Sequence, residues 1–332
     1  MFNLHHRFPV AFWGTSAIFT FFALFTLLLG CGDGKVTENT IVLNGSGATF
    51  PSPVYSSWSY LFSELSDGRV QVNYQGLGSG AGVNQVREGT VDFAGTDAPL
   101  SETELEADGL VQFPMLAGGI VVIVNLPGVK DGELKLSCDV LADIYRGKIQ
   151  RWNDARIAKD NPGITLPALK IVPVYRADSS GTSFLFTQFL SSVSDVWKTE
   201  IGTGKSVKFP VGIGGQKNPG VCNNVSRILG GIGYTEYTYA KEGRLTCVAL
   251  QNAKGKFIVP SPESFALAMT EPENENAYPV TGVTYLVFRK SLTEPKRGVL
   301  REYIHWCFTD GAEMATKLHY TPLNLEIAEN IY

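Results

Sequence analysis

The sequence predicts an α/β fold in two lobes with covered sheets, and three observations predict it. The chain has 332 residues, too many for one ordinary core and suited to two. From residue 41 onward, short apolar strands alternate with amphipathic helices, the pattern of α/β layers. Three loops rich in Gly, Ser and Thr each follow a strand and open a helix. Open α/β sheets bind ligands at such strand ends.

The elements follow in order. Residues 41–43 read as a short buried strand. Val54, Tyr55, Trp58, Leu61, Phe62 and Leu65 recur at helical spacing, which predicts an amphipathic helix over 53–65. Val70, Val72 and Tyr74 alternate as a strand, Val83 and Val86 mark a short helix, and 91–94 is another strand. Ser101 with Glu104 is a capping-box signal. The fully apolar run 120–124 reads as a central strand. Helices are expected over 139–145, 153–159 and 184–190, and strands over 171–175 and 231–234. Pro, Glu and Asn crowd 271–279, an expected exposed loop. A strand over 283–288 precedes helices over 295–308 and 311–318. Trp58 and Trp306 are expected in the core.

The N-terminus reads as a targeting segment. His5, His6 and Arg7 precede an apolar run of about 20 residues ending at Leu29, long enough to span a bilayer. The run closes on Leu28-Leu29-Gly30-Cys31, which resembles a bacterial lipobox, with Cys31 carrying the lipid. An uncleaved anchor and an ordinary signal peptide are the alternatives. All three place the body outside the cytoplasm, in the periplasm or on the outer face of the cytoplasmic membrane. Residues 1–31 are then the lipoprotein-type signal peptide, and the polar, Gly-rich stretch 32–40 is a tether.

Apolar residues make up 44% of the chain and charged ones 18%, the balance of a globular protein. Net charge is −4. A mildly acidic body with no basic stripe argues against nucleic acid. It leaves a single small anion open, because that needs only local donors. Beyond Cys31, the cysteines at 138, 222, 247 and 307 can form up to two disulfides in an exported compartment. Cys222 and Cys247 flank an apolar segment and are the favoured pair; small buried hydrophobes are the alternative. No CxxC spacing marks a zinc or redox site.

The loops carry the chemistry. They are Gly45-Ser46-Gly47-Ala48-Thr49-Phe50, Gly76-Leu77-Gly78-Ser79-Gly80-Ala81-Gly82, and Arg176-Ala177-Asp178-Ser179-Ser180-Gly181-Thr182. Gly lets the backbone approach a ligand. The first N–H groups of a helix are unpaired and lie at the positive end of its dipole. Hydroxyls add donors at short range. Such a cup accepts a compact anion. The planar fork of Arg176 suits a tetrahedral oxyanion bidentately, with a surface salt bridge as the alternative. Asp178 either orients that guanidinium or caps a helix. Asp97, after the strand at 91–94, either caps a turn before Pro99 or faces the anion. A carboxylate facing an anion repels it unless the anion carries a proton. Hydrogen phosphate has one at neutral pH and sulfate does not.

Catalytic readings are poorly supported. Outside the leader only His305 and His319 remain, both in the C-terminal tail. No G-x-S-x-G elbow surrounds Ser79 or Ser180. The stretch Gly202-Thr203-Gly204-Lys205-Ser206 lacks the P-loop's first Gly, since position 199 is Thr199. No catalytic residue, metal site or cofactor is expected. A binder of another oxyanion, such as sulfate, and a phosphatase-like enzyme on the same cup are the rivals.

Five stretches together resemble the periplasmic phosphate-binding protein of the bacterial ABC phosphate importer, the Pst system. They are GSGATFPSPVY over 45–55, VNYQGLGSGAGV over 72–83, TVDFAGTDAPLS over 90–101, RADSSGTSFLFTQFL over 176–190 and GIGYTEYTYAK over 231–241. The resemblance covers nearly the whole body from about residue 41. It implies a two-lobed, type II periplasmic binding protein fold with a hinge and an interlobe ligand cleft. By position, the implied phosphate contacts are Thr49, Phe50 through its backbone N–H, Ser79, Asp97, Arg176, Ser180, Gly181 and Thr182. Asp178 is the implied partner of Arg176. Ser46 and Ser179 stand where the family usually has a smaller residue. The resemblance further implies permease subunits as partners and membrane attachment through the N-terminal lipid; a monomer is expected. With hinges near Asn125 and Gly282, lobe one is residues 41–124 plus 283–332, and lobe two is residues 125–282.

Overall fold

A computed structural model describes residues 40–323. The leader, Cys31 and nearly all of the tether lie outside the described residues. Among the described residues no helix is long and apolar enough to cross a membrane.

The first part runs β1 (Ile41–Gly47), α1 (Ser52–Leu65), β2 (Val70–Gly76), α2 (Ser79–Glu88), β3 (Phe93–Thr96), α3 (Glu102–Ala107) and β4 (Leu110–Val124). The middle runs β5 (Lys135–Leu136), α4 (Cys138–Tyr145), α5 (Ala155–Asp160), β6 (Val172–Arg176), α6 (Gly181–Val193), α7 (Asp195–Glu200), β7 (Ile213–Gly215), α8 (Lys217–Arg227), β8 (Gly231–Glu236) and α9 (Tyr237–Glu242). The last part runs β9 (Thr246–Cys247), β10 (Ala249–Gln251), β11 (Phe257–Ile258), α10 (Pro262–Thr270), β12 (Thr281–Arg289), α11 (Lys296–Phe308), α12 (Ala312–Lys317) and β13 (Thr321–Pro322).

Local signals explain many of these elements. Helix α1 buries Val54, Tyr55 and Trp58 on one face, as its apolar spacing requires. Helix α3 carries the expected capping box: the Glu104 N–H donates to Ser101 Oγ (3.3 Å) and the Ser101 N–H to Glu104 Oε2 (2.9 Å). Strand β3 begins at Phe93, two residues later than expected. There the Asp92 carboxylate accepts the Asn44 N–H and the Lys296 ammonium instead of facing the core.

Among the described residues, ten strands form one sheet, with the path β2-β1-β3-β12-β4-β8-β6-β7 and β13 and β9 also pairing with β4, and the other three form a small sheet in the order β11-β10-β5. Strands β1, β2 and β3 are mutually parallel, as are β6, β7 and β8. Strand β4 joins the two groups. Its residues 110–119 pair antiparallel with β12, and 120–124 pair antiparallel with β8. Every residue from Met115 to Val124 is buried, which accounts for the unbroken apolar run. Pro114 cannot donate to the ladder and sits at a bulge, where the register with β12 shifts between Thr284 and Tyr285. At Gly119 a Cβ would fall inside the Phe265 ring, so the chain passes there without a side chain.

Several expectations need correction. All four body cysteines are free thiols, so the Cys222–Cys247 disulfide is not formed. Cys222 Sγ instead lies 3.5 Å from Thr235 Oγ1, and Cys247 Sγ faces the Leu245 carbonyl. Trp58 is buried, its Nε1 donating to the Gly311 carbonyl at 2.7 Å, whereas Trp306 is only partly buried against the core. The segment 271–279 is a loop, but Tyr278 turns inward and meets Phe265 edge-on at 5.3 Å. Helices α8 and α10 were not anticipated. Helix α8 is polar and contains Pro219 and Gly220, so its apolar signal reduces to Val221 and Val225.

Candidate functional site

The loops after β1, β2, β3 and β6 meet at the C-terminal ends of the two parallel strand groups. Each is shaped by the chain's need for close backbone approach. Gly47 has φ 133° and stacks on the Gly95 backbone, where a Cβ would overlap the carbonyl. Gly78, the N-cap of α2, has φ 101° and lies where a Cβ would come within 2.7 Å of Asp178 Oδ2. Both conformations favour glycine. Helices α1, α2 and α6 therefore begin around one buried space.

The structure brings the expected residues together. Thr49, Phe50, Ser79, Asp97, Ser180 and Thr182 are all at most 3% exposed, and Arg176 is 5% exposed. Contacts run between the two strand groups. The Gly181 N–H donates to Ser79 Oγ at 3.1 Å, and the Gly80 N–H to the Ser179 carbonyl at 3.1 Å. Ser79 Oγ also accepts the Asp97 N–H at 3.3 Å. At Gly181 a Cβ would lie 2.5 Å from Ser79 Oγ and 2.6 Å from Asp97 Oδ2, so only glycine allows these loops to close to this distance. Ser180 caps α6, its Oγ accepting the Ser183 N–H at 3.0 Å.

Arg176, the last residue of β6, is held on one edge by Asp178: Nε reaches Oδ1 at 2.8 Å and Nη2 reaches Oδ2 at 2.5 Å. Nη1 donates to Asn218 Oδ1 at 3.2 Å. Of the five guanidinium N–H groups, two remain, one on each terminal nitrogen. Asp178 thus occupies the Nε–Nη2 edge, and what remains for an anion is one N–H on each of Nη1 and Nη2. Burial alone pushes the Asp178 carboxyl up. Its hydrogen bonds and charge pairing with Arg176, with the Lys217 N–H at 2.9 Å, outweigh this and hold it below the ordinary carboxylate range.

Asp97 has no such partner. Oδ1 accepts the Thr284 hydroxyl at 2.8 Å. Burial raises its carboxyl to about 7, against the opposing pull of Thr284, the Arg176 charge and Ser79. Among the described residues, three buried side-chain atoms at this site make no hydrogen bond: Asp97 Oδ2, Thr182 Oγ1 and Asn218 Nδ2. A buried polar group without a partner costs about 1–3 kcal/mol. Three gathered at one place mark a binding site rather than a packing accident. They comprise one acceptor and two donors, adjoining a guanidinium.

Thr284, Asn218, Tyr239 and Tyr320 escaped the sequence reading. The Asn218 N–H donates to Thr49 Oγ1 at 3.4 Å, and Tyr239 OH to the Thr49 carbonyl at 2.7 Å. Tyr320 OH lies 2.7 Å from the Phe50 carbonyl and 3.0 Å from Glu236 Oε2. Burial raises the Glu236 carboxyl to about 8, against hydrogen bonds from Thr238 and Tyr320. One available signal was passed over. Ile213-Gly214-Gly215 leads into α8 as the other Gly-rich strand ends lead into their helices. His305 lies on α11, and the His319 ring stands edge-on to Tyr237 at 5.5 Å.

Comparison with known proteins agrees with this geometry. A model of the PBP superfamily domain matches residues 34–310. The phosphate-binding protein PstS of Pasteurella multocida is 41% identical over 312 residues, covering 89% of this chain and 90% of that protein. The protein of the same name from Haemophilus influenzae is 40% identical, covering 87% and 91%. That of Methanocaldococcus jannaschii is 34% identical, covering 85% and 83%. Among solved structures, a human phosphate binding apolipoprotein superposes with a TM-score of 0.69 at 20% identity, covering 87% of this chain and 93% of that one. An ABC-type phosphate transport receptor from Vibrio cholerae gives 0.57 at 17% identity, covering 85% and 100%. These distant structures share the fold, the two-lobed α/β architecture expected from the sequence. The chain belongs to the PstS phosphate-binding protein family of the PBP superfamily.

Proposed function

We propose that this chain binds inorganic phosphate between its lobes and delivers it to an ABC-type phosphate import permease. The observation that carries the reading is the set of unpartnered buried atoms: donors at Thr182 and Asn218, an acceptor at Asp97, beside the two remaining N–H groups of Arg176. Hydrogen phosphate fits this set, because three of its oxygens accept and its hydroxyl donates to Asp97 Oδ2. Thr49, the Phe50 N–H, Ser79, Ser180 and Gly181 complete the proposed contacts, and Asp178 holds Arg176. Sulfate brings no proton. It leaves the Asp97 acceptor facing an unprotonated oxygen, losing a charge-assisted hydrogen bond of about 1.5–3 kcal/mol and adding repulsion.

The site acts by binding rather than catalysis in this reading. Ser79 Oγ accepts two backbone N–H groups and Ser180 Oγ accepts one, which ties both hydroxyls into the loops around the cup. The proposed hinges stay near Asn125 and Gly282, and residues 120–124 at the end of β4 carry lobe one into lobe two by pairing with β8. Lipid attachment at Cys31 outside the cytoplasm, and a monomeric state, belong to the same proposal. Titration calorimetry with phosphate and sulfate at pH 8 tests the core of it. Tight phosphate binding with little sulfate binding is expected; comparable affinities for the two ions would rule out selection by Asp97.

A further inference from the structure

We infer that Asn218 is a further anion contact, its side-chain Nδ2–H donating to the bound oxyanion. The inference rests on the phosphate reading above. Asn218 is fully buried near the start of α8, its neighbour Lys217 having φ 62°. Three of its polar groups define its setting. Oδ1 accepts Arg176 Nη1 at 3.2 Å, the backbone N–H donates to Thr49 Oγ1 at 3.4 Å, and Nδ2 has no partner. The first two place the residue between two proposed anion contacts from opposite lobes.

The orientation of the amide is set by charge. Arg176 offers only donors, so the amide oxygen must turn to it and the NH₂ group must turn away. That leaves Nδ2 with two N–H bonds in a space that excludes water, where an unmade hydrogen bond is costly. Among the described residues, the one unpartnered side-chain acceptor at the site is Asp97 Oδ2, which the phosphate hydroxyl takes. An oxyanion with four oxygens supplies the acceptor that Asn218 lacks. A neutral amide suits this role because it adds a donor without a charge to desolvate. Its backbone N–H on Thr49 also ties the contact to lobe closure, since Thr49 and Asn218 approach each other only when the lobes are together.

The test uses the mature protein in three forms: wild type, Asn218→Ala and Asn218→Asp. Calorimetry gives the phosphate affinity of each at pH 8. A ¹H–¹⁵N spectrum follows the side-chain amide pair that disappears in Asn218→Ala. In the wild type, that pair is expected to shift as phosphate is added. Asn218→Ala is expected to weaken phosphate binding about tenfold, a difference of about 1.4 kcal/mol. Asn218→Asp keeps an acceptor for Arg176 and the N–H on Thr49 but replaces the donor with a carboxylate oxygen. It is expected to weaken binding more than Asn218→Ala while its ligand-free melting temperature stays at or above the wild-type value. A wild type that binds phosphate, with an unmoved amide pair and an Asn218→Ala affinity within twofold, overturns this inference and leaves the phosphate reading standing. A wild type that binds no phosphate overturns both.

Discussion

Two aspartates at this site have opposite electrostatic situations. Asp97, after β3, is buried with a hydroxyl on one oxygen and nothing on the other, and its carboxyl is raised to about 7. Asp178, after β6, grips Arg176 along the Nε–Nη2 edge and takes a backbone N–H, and its carboxyl is lowered. Burial opposes ionisation in both, and only Asp178 has a cation in direct contact. The difference separates their roles. Asp178 is a permanent counter-ion that aims a guanidinium. In the proposed function, Asp97 is the acceptor whose protonation state decides which anion the cup tolerates.

The largest expected effect comes from removing the cation that separates them. Arg176→Met should reduce phosphate affinity at least about 1,000-fold, or about 4 kcal/mol. It should also destabilise the protein by about 3 kcal/mol, because breaking a buried pair leaves the other charge uncompensated. Calorimetry and urea denaturation measure the two. Asp178 should then titrate above its wild-type position; an unchanged Asp178 would show that Arg176 does not control it.

Next is Asp97→Asn, whose amide can donate where the carboxylate could not. Sulfate affinity should rise about 100-fold, near 2.7 kcal/mol, while phosphate loses its proton-specific partner. The same logic predicts a pH effect in the wild type. Below about pH 7 Asp97 itself carries a proton and can donate to sulfate, so discrimination against sulfate should weaken on acidification. Selectivity that is flat from pH 8 to pH 5.5 would break the assignment.

Stability of the ligand-free protein gives a third comparison. Asp97 and Glu236 hold protons up to about 7 and about 8 in the folded state, against about 4 when unfolded. Between those values the folded form binds more protons, so unfolding releases them and stability falls as pH rises. Each group contributes a slope of about 1.4 kcal/mol per pH unit. Asp178 acts the other way: its contribution is present above the ordinary carboxylate range and lost on acidification. Urea midpoints should therefore decline from pH 5 to pH 8, and Asp97→Asn with Glu236→Gln should flatten that decline.

The smallest expected effect is Gly181→Ala. Its Cβ would press on Ser79 and Asp97, so closure should be hindered and phosphate bound about tenfold more weakly, near 1.4 kcal/mol. Small-angle scattering should show less compaction with phosphate than in the wild type.

Much of this molecule is legible locally. The spacing of Val54, Tyr55 and Trp58 marks α1, Ser101 with Glu104 marks the start of α3, and the run 120–124 marks part of β4. Gly47, Gly78 and Gly181 mark loops whose backbones must come close. These signals depend on helical and strand periods and on backbone conformation, which act within a few residues. The residues proposed for the anion cup are legible for the same reason, since each lies at a strand end that opens a helix or a turn.

What escaped the sequence lies in contacts between distant segments. Thr284 meets Asp97 across 187 positions, and Asn218 meets Thr49 across 169. Tyr320 reaches Phe50 across 270. No local period encodes such a meeting. Whether a polar atom is satisfied depends on everything packed around it, so the unpartnered atoms of Asp97, Thr182 and Asn218 could not be read in advance. The free state of Cys222 and Cys247 was hidden for the same reason, since proximity along the chain does not determine where a side chain points. By itself the sequence determined many of the elements, the loops of the proposed anion cup and the family resemblance. The tertiary structure alone decided which edge of Arg176 Asp178 occupies, which oxygen of Asp97 is left without a partner, and that Asn218 lies against both Arg176 and Thr49.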